Sequence, residues 1–294
     1  MWLLFASFTA FFEACKDATG KQSLKSLDEY TVLFGFSTVG VLLMLPLLWT
    51  TGIPTIQPGF WLAILIGGSL NILAFTLYVR ALKLADLSLT VPLVTLTPLF
   101  LLVTSPLIVQ EWPTPADAIG VILLIVGSYV LNLKTPHHQA DSHTKAPSPF
   151  VPLLAMTSNP GSRLMLCVAF IWSITSNFDK IGVLNSSPLV WAIALFSVIA
   201  GGMVPFMVSR GVQTQEVLSQ GRLLVITGGF NAIAISSQML ALTMAPVAQV
   251  IAVKRMSALL SVLMGHFFFG EKGLKARLIG AAIMVSGVVI MSLH

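Results

Sequence analysis

An all-α membrane protein, with ten transmembrane helices arranged as two inverted five-helix repeats, is the fold class the sequence predicts, and three observations carry it. Of 294 residues, 56% are hydrophobic and 9% charged, with a mean hydropathy of +0.91; a soluble domain carries roughly 25% charged residues. Ten windows of about 20 apolar residues fit along the chain, each long enough to cross a hydrocarbon core of about 30 Å as a helix. The chain also repeats itself. Residues 68–133 align without a gap on 228–293, since 231 minus 71 and 271 minus 111 both give 160.

The first window, 1–19, has no basic n-region and runs into Glu13, Lys16 and Asp17 rather than a small-residue cleavage site, so it reads as a span and not a signal peptide. Windows at 31–50, 60–82, 86–109 and 115–133 complete a first half, 1–133. The stretch 134–162 is rich in Pro, Ser, His and Asn and reads as a polar cytoplasmic linker, with "FVPLLAM" placed on the membrane surface. His137, His138 and His143 within it have no acidic or Cys partners in metal-ligand spacing, so no metal is expected. The second half, 163–294, supplies windows at 163–181, 188–209, 222–243, 246–269 and 274–293.

The matches at offset 160 include Gly68 with Gly228, Asn71 with Asn231, Glu111 with Glu271, and Gly120 and Gly127 with Gly280 and Gly287. Leu or Ala matches are common by chance in such a composition, whereas Asn, Glu and paired Gly matches are not. Five spans is an odd number, so the second copy enters the membrane from the opposite side, and an inverted repeat of this kind predicts alternating access. Gly67, Gly68, Gly228 and Gly229 stand at the starts of equivalent spans, where close approach lets helices rock.

The net charge of +5 matters less than its placement. Lys21, Lys25, Arg80, Lys83, Lys134, Lys145, Arg163, Arg210, Arg222, Lys272, Lys275 and Arg277 all fall in odd-numbered connections. The positive-inside rule puts those connections in the cytoplasm and both termini outside, in a cell inner membrane. No nucleic-acid partner is expected, and Cys15 and Cys167 carry no message about compartment.

Four cations escape this pattern: Lys16, Lys180, Lys254 and Arg255. An ionised residue at the centre of a spanning helix costs about 2.5–3.5 kcal/mol, so the adjacent Lys254 and Arg255 cost about 5–7 kcal/mol before compensation. Lys254 lies about 12 Å inside its span, further than a side chain of about 6 Å snorkels without thinning the bilayer. Three readings stand: a substrate or coupling site, a structural ion pair, and strained snorkelling. The first is favoured, because ionisable groups within a membrane are functional by default. Glu13 and Asp17, at i and i+4 on one face, and Asp179 are the expected counter-charges, with Lys180 beside them in the charge-compensating set. One of these carboxylates is a candidate carrier of a coupled proton. Matching stripes in the third and eighth spans add Asn71 and Tyr78, and Asn231 and Gln238, as candidate substrate contacts. Glu111 and Glu271 read as helix-end caps or loop partners. No HExxH, GxSxG or P-loop pattern is present, so an enzyme is the poorer reading, and no cofactor is expected.

The two half-ends "ALKLADLSL...QEWPTPADAIGVILLIVGSYVLNL" and "ALTMAPVAQ...GEKGLKARLIGAAIMVSGVVIMSL" resemble the EamA family of the drug/metabolite transporter superfamily. The resemblance covers the chain outside the linker. It implies a ten-helix secondary transporter with a central cavity for a small-molecule metabolite, and both termini in the cytoplasm, the reverse of the cation count. The Lys254-Arg255 pair also looks like the Lys-Arg pair with which phosphate-translocator members of that superfamily hold a phosphate. A secondary transporter of a small anionic or zwitterionic metabolite is therefore the expected function. A proton-coupled exporter of drugs or amino acids, with the pair structural, is one alternative, and a non-transporting membrane enzyme or assembly protein is another; a homodimer stays open.

Overall fold

The computed structural model describes residues 1–84, 93–132, 160–212, 217, 219–260 and 274–292, with the side chains of 21, 82, 83, 131, 132 and 274–278 excepted. Nearly all of the linker, His137, His138, His143 and Glu271 lie outside the described residues. The described elements are all helical. They are α1 (Trp2–Ser23), α2 (Glu29–Met44, prolonged by a 3-10 turn Leu45–Leu47 and a last turn Leu48–Thr51), α3 (Pro58–Leu84), α4 (Thr97–Ile108), α5 (Pro115–Asn132), α6 (Pro160–Leu184), α7 (Pro188–Ser209), α8 (Gly221–Leu242), α9 (Val247–Lys254) and α10 (Leu274–Ser292). Among the described residues, five stretches are long and apolar enough to cross a membrane: Glu29–Thr51, Pro58–Ala81, Pro160–Leu184, Pro188–Ser209 and Gly221–Leu242. Shorter apolar helices run over Thr97–Ile108, Pro115–Val130 and Ile279–Ser292.

Local sequence explains where several helices begin. Asp28 accepts from the Tyr30 N–H at 3.1 Å to cap α2, and Ser187 accepts from the Val190 N–H at 3.3 Å to cap α7 ahead of Pro188. Thr114 and Asp117 form a reciprocal box around the start of α5. The Asp117 N–H donates to Thr114 Oγ1 at 3.2 Å, and the Thr114 N–H donates to Asp117 Oδ2 at 2.8 Å.

The helices pair in a pattern that is the same for each half. α1 packs along α8 as α6 packs along α3; α9 meets α1 as α4 meets α6; and α5 lies along α10. Glycines set the α5–α10 distance. A Cβ on Gly120 would stand 2.6 Å from the Gly287 carbonyl oxygen, and one on Gly127 would stand 2.7 Å from that of Gly280. Because the lower number of α5 meets the higher number of α10, the two helices run antiparallel. Their backbones touch as small residues allow helices in lipid to do. Gly228 is equally tight against α2, where a Cβ would sit 2.5 Å from Val39 Cγ1.

The expected single helix over 246–269 is not continuous. α9 ends at Lys254, a turn follows at Arg255 and Met256, and helix resumes over 257–260. The Met256 N–H reaches back three residues to Val253 O at 2.9 Å, and the Leu96 N–H does the same to Leu93 O at 3.1 Å. The turns at 95–96 and 255–256 are thus 160 residues apart, the spacing of the sequence match. Pro98, which has no N–H to give a helix, follows the first turn closely.

Candidate functional site at the Lys254–Arg255 turn

Lys254 is the last residue of α9 and Arg255 its C-cap. Both cations therefore sit against the negative end of a helix, a placement that is favourable by about 0.3–1 kcal/mol at exposed sites and more where partly buried. From that shared point the two side chains diverge to different partners.

Lys254 Nζ donates to Gln238 Oε1 of α8 at 2.8 Å and lies 3.9 Å from Glu13 Oε1 of α1. Glu13 is held more closely by Lys16, one turn on, whose Nζ donates to the same Oε1 at 2.6 Å; Lys16 Nζ is also 3.8 Å from Asp17 Oδ1. A chain of contacts, Gln238–Lys254–Glu13–Lys16–Asp17, therefore crosses three helices. It is only part-sealed: the side chains of Lys254, Glu13 and Lys16 keep 19%, 18% and 16% of their surface, and Asp17 keeps 54%.

Arg255 turns the other way. Its Nη2 donates to Thr97 Oγ1 at 2.9 Å, just past the equivalent turn of the first half, and its guanidinium carbon lies 5.4 Å from the centre of the Trp172 ring. Trp172 stands 5.5 Å from Tyr78 and 5.7 Å from Phe75, ring centre to ring centre. Arg255 Nε is buried with no hydrogen-bond partner. Among the described residues, Lys16, Lys254 and Arg255 face Glu13 and Asp17, with Asp179 within electrostatic reach of Lys254.

The other candidates make no hydrogen bond to the pair, although Asp179 lies within electrostatic reach of Lys254. Asn71 is buried and spends its amide within its own helix, Nδ2 donating to Gly67 O at 3.0 Å. Asn231 is buried with Nδ2 unpartnered, and that amide faces Gly40 of α2. No hydrogen bond joins either Asn to the pair. Asp179 accepts from the buried Trp191 indole N–H at 3.1 Å. Lys180, expected near the cation pair, is instead paired with Glu111, and its Nζ also donates to Ala245 O at 2.9 Å. The reason is geometric: Lys180 lies in the last turns of α6, level with the short connections 109–114 and 243–246, whereas Lys254 lies at the far end of α9 from them. Glu111 has a second role, since its Oε2 accepts from the Val247 N–H at 2.7 Å and so caps α9. Among the described residues, no group of three His, Cys, Asp or Glu side chains has the arrangement to hold a metal.

Sequence reasoning singled out Lys16 but gave it no place at the site, and it missed Thr97 and Trp172. Lys16 was legible as an i+3 partner of Glu13. Trp172 carried a signal too, because a Trp in mid-span is out of place when tryptophans favour the interfaces. Thr97 carried none by itself.

Among curated proteins, none matches the chain in sequence. A crystal structure of a protein is similar at 20% identity, with a TM-score of 0.75 over 98% of this chain and 95% of that one, which shows the fold alone. The sequence profile of the EamA-like transporter family matches residues 1–133 and 159–293. The match takes in all of the elements that build the site, and the chain belongs to that family of multi-pass membrane transporters, within the drug/metabolite transporter superfamily.

Proposed function

We propose that the chain is a secondary transporter that moves a small anionic or zwitterionic metabolite by alternating access, with Lys254 and Arg255 holding the carboxylate or phosphate of its cargo. The observation that carries this reading is the nature of their partners. Lys254 donates to a neutral amide, its carboxylate neighbour stands off at 3.9 Å, and Arg255 rests on a hydroxyl and an aromatic face with Nε still unpaired. A purely structural pair, withdrawn from water, needs close carboxylates to offset its desolvation. Here the cations are positioned but not neutralised, and an anion's oxygens would complete them. Tyr78 and Gln238 flank the two sides, while Glu13 and Asp17 offset part of the charge from a distance.

Inverted five-helix repeats fit this mechanism, and the reciprocal glycine contacts of α5 and α10, together with the turns at 95–96 and 255–256, support them. Glu13, Asp17 and Asp179 are the candidate carriers of a coupled proton. The cation distribution supports an inner-membrane orientation with odd connections in the cytoplasm.

Uptake of labelled carboxylates, amino acids and phosphorylated sugars into proteoliposomes tests the reading. Lys254→Ala is expected to abolish transport of the anion that wild type carries while leaving thermal unfolding near wild type; unchanged transport rejects it. If Lys254→Ala leaves transport of a cationic drug intact and Glu13→Gln abolishes it, the protein is instead a proton-coupled exporter with a structural Lys-Arg pair.

A further inference from the structure

Glu111 occupies an unusual junction. One carboxylate oxygen faces Lys180 of α6 and the other accepts from the first N–H of α9, so a single side chain of the first half grips two elements of the second. The backbone delivers it there by a tight turn. Gln110 has φ 59°, the one non-glycine residue with positive φ among the described residues, and a left-handed residue outside glycine is commonly retained where the surroundings hold it. The first turn of α9 has a second attachment, since Gln249 Nε2 donates to Asp117 Oδ1 at 2.8 Å. Ser105, 2% exposed and with an unpartnered hydroxyl, lies beneath this junction in a small cavity that Glu111, Trp112, Asp117 and Pro246 also line.

α9 is eight residues long, about 12 Å at 1.5 Å per residue. Its N-terminus is held by Glu111, and its C-terminus carries Lys254 and Arg255. Beyond Arg255 the backbone tightens into the turn without breaking: the Arg255 N–H bonds Ile251 O at 3.0 Å, the Met256 N–H bonds Val253 O at 2.9 Å, and helix resumes at 257. So short a helix moves as a rod, and what is done to one end is felt at the other.

We propose that Lys180 and Glu111 form a gate at the 109–114 and 243–246 end of the bundle, and that they act as positioning residues for the Lys254–Arg255 site through α9. While the gate is closed, Glu111 fixes α9 in register and the two cations are presented to Gln238 and Thr97. When Lys180 and Glu111 part, the α9 N-terminus loses its cap, the helix shifts as a unit, and the cations leave those partners. Opening of this end and release of the bound anion are then one event, as alternating access requires. The inference rests on the transport reading above and adds to it the residues that link gate to site.

Full-length protein in detergent, with Cys15→Ala and Cys167→Ala as background, tests this without any substrate. Ser105→Cys reports on the gate by its rate of reaction with a methanethiosulfonate reagent, and hydrogen exchange of 247–260 reports on α9 and its turn. Lys180→Met is expected to raise labelling about tenfold or more and to speed exchange along the whole of 247–260, whereas Lys180→Arg restores protection of both. Glu111→Gln, a milder change should Lys180→Met fold poorly, is expected to move both in the same direction. Labelling within twofold of the background protein in both variants overturns the gate. Faster exchange confined to 247–250, with 255–260 unchanged, overturns the coupling. A failure here leaves the Lys254→Ala transport result standing, and the reverse also holds, so the two claims are separable.

Discussion

Lys254 of α9 donates to Gln238 of α8 at 2.8 Å, closer than it comes to any carboxylate among the described residues. A neutral acceptor holds the ammonium in place without cancelling its charge. Gln238→Leu removes that hold, and a hydrogen bond to a charged group is worth about 1.5–3 kcal/mol, or roughly 10- to 100-fold in affinity. Weaker apparent affinity for the transported anion, measured as a raised KM in proteoliposomes, is the expected outcome. Gln238→Glu should weaken uptake further, by neutralising Lys254 outright.

Lys16 holds Glu13 at 2.6 Å and so keeps it from closing on Lys254 at 3.9 Å. Lys16→Met frees that carboxylate to pair with Lys254, and the site loses one positive charge. Anion uptake should fall about tenfold or more, with a folded protein on thermal unfolding. The double variant Lys16→Met, Glu13→Gln should regain part of the loss, which a mutant cycle reads directly.

Arg255 lies between Thr97 and the face of Trp172. Arg255→Lys keeps the charge but loses the planar group that stacks on an aromatic ring and donates from several nitrogens at once. It should therefore transport poorly, close to Arg255→Ala, and Thr97→Val should give an intermediate loss. Equal activity of Arg255→Lys and wild type in the uptake assay would remove the geometric role given to the guanidinium.

Gly120 and Gly287 each face the other's carbonyl, so a methyl on either has backbone in its way; at Gly120 it also meets Met291 Cγ, a side chain that can turn aside where the carbonyl cannot. Gly120→Ala and Gly287→Ala should each destabilise by about 1–3 kcal/mol. Their effects should not add, because the first methyl already forces α5 and α10 apart. Thermal unfolding of the two single variants and the double decides this.

How much of this was legible in the sequence follows from what a residue's own neighbours fix. The described helices fall near the apolar windows, five of them long and apolar enough to span, because hydropathy and length set a span with little tertiary help. Gly120, Gly127 and Gly287 were visible as repeat matches, and the contacts then showed what they are for. The proximity of Glu13 to Lys254 could be expected because two oppositely charged groups within a membrane have few other partners. Lys180 could not be placed in the same way. Its depth along α6 depends on where Glu111 arrives, and that is set by the left-handed Gln110 and by the loop before α9. Asn71 and Asn231 share a stripe with Tyr78 and Gln238 in sequence, yet a helix face is broad, and their amides are taken up within or between helices while Gln238 reaches Lys254.

The paired turns at 95–96 and 255–256 have one further consequence. The second carries Lys254 and Arg255, the first carries Val94 and Thr95 with Thr97 just beyond, and Arg255 reaches across to that Thr97. The second turn is the plug and the first its socket. A chain edited back to symmetry, with Val94→Lys and Thr95→Arg, would bring two plugs face to face. Like charges would then meet where a hydroxyl now receives the guanidinium, and the division of labour between the halves, more than the presence of cations, is what such a chain would lose.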